Sequence, residues 1–143
     1  MDKTSVMAYF CMYGDEFPLS KVSEILKIGP TKSYSKGDAV VRPDNGNLVS
    51  TVTNYRKETA WEYSTGYQES VDISIQLDML LEVLENKVSE LKGLHEEYKV
   101  TYKFMIVIRI ENNEKPAMYL DQRFINFAHA IKADVDFDLY IFS

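Results

Sequence analysis

From Ser5 to Tyr13 the chain alternates, with Val6, Ala8, Phe10 and Met12 on one side and Met7, Tyr9, Cys11 and Tyr13 on the other. A period of two predicts a strand, here one with two apolar faces. After Pro18 the apolar positions move to Leu19, Val22, Ile25 and Leu26, which is helical spacing, and Gly29-Pro30 is expected to end that helix. The polar run Thr31 to Asp38 reads as an exposed connection into Ala39, Val40 and Val41. Pro43-Asp44-Asn45-Gly46-Asn47 carries the Asn-Gly pair of a hairpin turn, so Leu48 to Tyr55 is the expected partner strand. Trp61, Tyr63 and Thr65 alternate before Gly66 and predict a further short strand.

From Asp72 the helical period returns, with a stripe of Leu77, Leu80, Leu81, Leu84, Val88 and Leu91. Asn86 and Gly93 are poor helix formers, so a break into a main helix and a second one ending near Tyr98 is expected. Lys99 to Ile110 alternates strongly, with Tyr102, Phe104, Ile106, Ile108 and Ile110 on one face and Lys103 and Arg109 on the other; such a strand belongs inside a sheet. Asn112 to Lys115 turns the chain, Pro116 to Leu120 predicts a short strand, and Asp121 suits the N-cap of a helix carrying Phe124, Phe127, Ala128 and Ile131. In the closing strand Val135, Phe137, Leu139 and Ile141 are expected to face the core while Asp134, Asp136, Asp138 and Tyr140 face away.

The order of elements predicts one α+β domain over residues 1–143: a largely antiparallel mixed sheet with helices packed on one face. Two successive β-α-β arcs suggest a ferredoxin-like arrangement, although strand order does not follow from strand count. No uninterrupted apolar run, Phe104 to Ile108 included, approaches the roughly 20 residues of a membrane helix. No basic N-terminal region leads into a long apolar stretch, and a lone Cys cannot form an internal disulfide; a cytoplasmic location without membrane contact is the expectation.

Sixteen Lys and Arg against 22 Asp and Glu give a net charge of −6, and most of the acidic excess lies beyond residue 70. Lys32, Lys36, Arg42, Arg56 and Lys57 are dispersed among acids, so the clustered cations that neutralise phosphates are missing and no nucleic-acid partner is expected. The same balance serves plain solubility, which is the preferred reading of it, and mildly favours a basic protein partner.

GDEF at Gly14 to Phe17, IGPT at Ile28 to Thr31, KGD at Lys36 to Asp38, Trp61, the Leu-rich helix and DFDLY at Asp136 to Tyr140 stand in one order that resembles a bacterial domain of unknown function, the family numbered four-two-seven-nine. The similarity spans almost the whole chain through many weak positions, and the Tyr-rich stretch around Trp61 departs from it. It implies a small, stand-alone, cytoplasmic bacterial protein and supplies no catalytic residues. Small acidic families of this kind include immunity proteins and inhibitors, which is an analogy of class only.

Asp134, Asp136 and Asp138 are the sharpest constellation, because alternate strand residues point the same way about 6–7 Å apart. Two such carboxylates could bracket Mg²⁺ or Ca²⁺, although no EF-hand loop follows. The competing expectation is that they pair across the sheet with Lys103 and Arg109. His95 and His129 fit no zinc spacing and are expected on helix surfaces; Cys11 is expected as a buried small hydrophobe; Asp15 and Glu16 are expected as first-turn carboxylates of the first helix. No Gly-x-Ser-x-Gly elbow, Walker loop or dinucleotide fingerprint is present, so no catalytic residues, metal or cofactor are assigned. The rings of Tyr9, Tyr13, Tyr34, Tyr55, Trp61, Tyr63, Tyr67, Tyr119 and Tyr140 exceed the needs of one small core.

The preferred reading is a non-enzymatic protein-binding module, inhibitor- or immunity-like, acting through an acidic, aromatic sheet face that includes Asp134, Asp136, Asp138, Tyr140, Arg109 and Trp61. Its rivals are an enzyme dependent on a small ligand or divalent metal, using Asp136, Asp138 and Arg109, and a homodimer packed sheet to sheet.

Overall fold

The computed structural model describes residues 2–40 and 54–142. Strand β1 (Ser5–Gly14) leads into helix α1 (Leu19–Leu26), then β2 (Lys32–Tyr34), β3 (Thr59–Ser64) and the two-residue β4 (Gln68–Glu69). Helix α2 (Ile73–Leu84) passes through a 3-10 turn at Glu85–Lys87 into α3 (Val88–Tyr98), and β5 (Thr101–Ile110), α4 (Gln122–Ala130) and β6 (Asp134–Ile141) complete the chain.

The sheet order is β2-β3-β1-β5-β6, with β4 also on β1. β3 runs antiparallel to both β2 and β1, which makes β1-α1-β2 a split β-α-β unit with β3 inserted. β5 then joins the other edge of β1, antiparallel over nine residue pairs from Ser5↔Arg109 to Tyr13↔Thr101. This is the ferredoxin-like β-α-β-β-α-β connection, extended by α4 and by β6, which lies parallel to β5. The α+β class and the mixed, mostly antiparallel sheet agree with the sequence reading.

One face of the sheet and the helices share a single core. Val6, Ala8, Phe10 and Met12 of β1, Tyr102 to Ile110 at alternate positions of β5, and Trp61 of β3 pack with Val22 and Leu26 of α1, the Leu stripe of α2, and Phe124 and Phe127 of α4. Phe10 is the hub: its ring lies 6.5 Å from Trp61, 5.4 Å from Tyr102 and 5.3 Å from Phe104. The two polar tips in this layer are satisfied, Trp61 Nε1 donating to Ser23 Oγ at 3.0 Å and the Tyr102 hydroxyl to the Leu91 carbonyl at 2.6 Å. Asp72 and Asp121 cap α2 and α4 by accepting from Ser74 N and Phe124 N, each at 2.9 Å.

Several expectations need correction. Helix α1 stops at Lys27, which takes the left-handed conformation (φ 57°), two residues before Gly29. Asp15 and Glu16 lie outside its first turn, and Asp15 instead pairs with Lys36. Within the expected connection 31–38, Lys32–Tyr34 is a strand, unreadable because an edge strand exposed on both faces shows no apolar alternation. Pro116 to Leu120 makes only one bridge, Ala117 to Asp72, rather than a strand. The Asn45-Gly46 turn and the span 48–53 fall outside the described residues, while their flanks pair antiparallel through Ala39 and Tyr55.

The largest correction concerns β6. Phe137, Leu139 and Ile141 stand on the helix-side face, opposite Ile106, Ile108 and Ile110, yet they are 40%, 46% and 70% exposed. Helix α4 packs Phe124 and Phe127 on Phe104, opposite Val135, so its cover reaches the start of β6 only. Chemical denaturation should separate the two strands. Phe104→Ala is expected to cost about 3–5 kcal/mol, as for a large cavity in a dry core. Phe137→Ala, on the same face one strand away, should cost about 1–2 kcal/mol because much of its ring is already in water.

Candidate functional site

The side chains of β1 that point away from the helices, Met7, Tyr9, Cys11 and Tyr13, lie outside the core cluster. Strand register extends each into a row. Cys11 stands opposite Glu62 of β3 and Lys103 of β5; Glu62 stands opposite Lys32, and Lys103 opposite Asp134. The row Lys32, Glu62, Cys11, Lys103, Asp134 therefore alternates in charge around a central thiol. The next row places Ser64, Tyr9, Met105 and Asp136 side by side.

This face is half-buried by its own long side chains, and that sets its electrostatics. Cys11 donates toward Glu62 Oε2 at 3.9 Å. Burial, helped by the charges of Glu62 and Glu58, pushes its thiol up to about 12. Tyr9 is likewise pushed up to about 12 by burial and by Glu62. Glu62 itself is held above the ordinary carboxylate range by desolvation, against the pull of Lys32 and Arg56. A protonated thiol is a poor nucleophile, so the centre of the face is a neutral, polarisable surface at physiological pH. Two open depressions flank Tyr9, one of about 630 Å³ beside Lys32 and Glu62 and one of about 170 Å³ beside Cys11 and Lys103.

The residues expected to form the site divide into two groups. Asp134, Asp136, Asp138 and Tyr140 share the outer face of β6, next to Arg109 of β5. Lys103 Nζ holds Asp136 at 3.0 Å, and that hydrogen bond raises the ammonium above its ordinary value. Asp138 accepts from the Tyr140 hydroxyl at 2.9 Å, which in turn raises the phenol. Arg109 does not reach the acids: its guanidinium lies 4.9 Å from the Tyr67 ring and 5.8 Å from Phe142, a cation between two aromatic rings. Trp61 is separate, fully buried on the opposite face against Phe10. Its inward position follows from the register Met12↔Trp61, which ring counting alone cannot supply.

Two features were invisible in sequence. The row through Cys11 depends on pairing across three strands; the apolar second face of β1 was the only local sign of it. His95 and His129, 34 positions apart, line one hollow of about 440 Å³ with Lys92, Lys132 and Glu96. His95 Nδ1 lies 2.7 Å from the Val100 carbonyl and donates to it. His95 and His129 stand in the last turns of α3 and α4, the helix ends where basic groups are favoured. Among the described residues no group of three or more His, Cys, Asp or Glu side chains is gathered closely enough to hold a metal ion. Nor is any described helix long and apolar enough to cross a membrane.

The raised thiol has a measurable consequence. Its folded value of about 12 lies above the ordinary 9.0, so the folded state keeps the proton longer than the unfolded chain does. The stabilisation this provides is complete below about pH 9 and is lost as the pH climbs toward about 12. The stability difference between the native protein and Cys11→Ala, read from urea midpoints, should therefore shrink over that interval. Alkylation of the folded thiol at pH 8 should be at least about tenfold slower than in urea; equal rates would contradict the burial argument.

The model of the family described as Domain of unknown function (DUF4279) matches residues 3–142. No curated protein and no solved structure is matched. The match takes in every strand and helix of the described fold, including the β6 extension, and the chain belongs to the DUF4279 family.

Proposed function

We propose that the protein is a non-enzymatic binding module that engages a basic protein partner through the face of its sheet opposite the described helices. One observation carries this reading: the helices cover one side, and the outer end of the other side sets Asp134, Asp136 and Asp138 beside the exposed rings Tyr140, Tyr67 and Phe142. Exposed Tyr and Phe supply large contact area at low entropic cost, and a row of carboxylates steers and selects cationic partners. Arg109, already seated between two rings, would add a planar donor at the rim. Trp61 takes no part, because it is enclosed in the core. A module of this kind acts by occupying its partner's surface, as inhibitors and immunity proteins do.

The rival metal-dependent reading requires Asp136 and Asp138 to bracket one cation together; Lys103 already neutralises Asp136, and Asp138 alone, with one oxygen accepting from Tyr140, makes no such bracket. Affinity capture from host lysate should test the proposal, comparing the native chain with a quadruple variant, Asp134→Lys, Asp136→Lys, Asp138→Lys and Tyr140→Ala. A discrete basic partner retained by the native chain and depleted at least about tenfold by the variant is the expected result. A native chain that elutes as a monomer and retains nothing specific would contradict the proposal, provided circular dichroism shows both chains folded.

A further inference from the structure

β6 is the outermost strand of the sheet, and among the described residues nothing pairs with its free edge. Alternate residues of its eight point backbone donors and acceptors outward there, and native proteins usually blunt such an edge with charged side chains, Lys above all, with Pro or with a bulge. The strand DVDFDLYI contains neither Lys nor Pro, and its charges are three Asp, all on one face. Its helix-side face instead leaves Phe137, Leu139 and Ile141 open beside fully packed neighbours on β5. Its other face carries Asp134, Asp136 and Asp138.

This combination discriminates between occupants. A second copy pairing antiparallel about a two-fold axis would keep like faces together and set acid opposite acid, which is destabilising at cross-strand distance. An acidic strand is rejected for the same reason. A strand that alternates apolar and Lys or Arg residues satisfies both faces at once: its apolar side chains continue the layer of Phe137, Leu139 and Ile141, and its cations meet Asp134 and Asp138. We infer that the edge of β6 accepts such an extended basic and apolar segment of a partner protein, which joins the sheet as an additional strand. The inference rests on the protein-binding reading and specifies the shape of what is bound.

The probe is an eight-residue capped peptide alternating Lys and Val, compared with a Glu-for-Lys version and with a version of the same composition in which Lys and Val are segregated into blocks. The alternating peptide should bind at least about tenfold more tightly than either control, weaken with added salt, and slow hydrogen exchange of amides in 134–141. Leu139→Lys with Ile141→Lys, at positions already open to water, should reduce its binding at least about tenfold with the fold intact. Equal binding of the block peptide, or unchanged exchange in β6, would overturn the inference and show charge attraction alone. So would a dimer in light scattering that Ile141→Lys dissolves and the peptide cannot compete, since a second copy would then occupy the edge. A lysate partner lost on charge reversal, with β6 amides unprotected, would leave the binding-module reading standing and remove only the strand-addition claim.

Discussion

The architecture depends on β1 being hydrogen-bonded along both edges, to β5 on one side and to β3 and β4 on the other. A strand in that position can neither twist out of the sheet nor shift register without moving a whole face of side chains. Phe10 then meets Trp61, Tyr102 and Phe104 at fixed spacing, and the helices close over that aromatic layer. Every other packing relation is measured outward from this line. Cover is complete over β1 and β5 and runs out at β6, because α4 crosses the sheet at Phe104 and does not extend along the edge strand.

The same centrality explains the chemistry of the opposite face. Side chains from β3 and β5 fold over β1 from both flanks, so Tyr9 and Cys11 lose water without gaining a helix above them. Partial burial among carboxylates favours neutral forms, which suppresses ionisation of the thiol and the phenol and lifts Glu62. Charge stands to either side of Tyr9 and Cys11, on Lys103, Asp134, Asp136 and Asp138 toward one edge and on Glu62 and Lys32 toward the other. A neutral centre with charged margins resembles the anatomy of contact surfaces in reverse polarity to a catalytic cleft, where titratable groups gather at the deepest point.

The parts legible in the sequence are those in which one face is covered. The stripe Leu77, Leu80, Leu81, Leu84 and Leu91, the cap at Asp121 and the alternation of β5 all follow from periodicity, and the helix break at Glu85–Lys87 from residues hostile to helix. Periodicity reports which residues share a face, not whether anything lies on that face. β5 and β6 alternate alike, yet Ile108 is buried and its neighbour Leu139 is not. β2 failed for the converse reason: with both faces in water, Lys32–Tyr34 had no pattern to betray it. Trp61 and Arg109 show the remaining limit, since the first turned inward through its register with Met12 and the second found rings rather than acids. Cross-strand pairing is information that a single chain does not display.

A sheet edge by itself is unselective, because its backbone groups will pair with any extended chain. Selection has to come from side chains, and β6 projects two incompatible sets from alternate residues of one strand. The acids repel acidic and self-complementary strands; the open apolar set leaves a strand that is polar on both faces with unsupported side chains against Leu139 and Ile141. Lys103 draws Asp136 inward toward β5 while Asp134 and Asp138 make no ion pair among the described residues, so the countercharge is incomplete where the strand meets solvent. The bare face and the bare edge are therefore not two surfaces with separate uses. They meet in the pleat of β6, where a segment that pairs with the backbone would have to satisfy both.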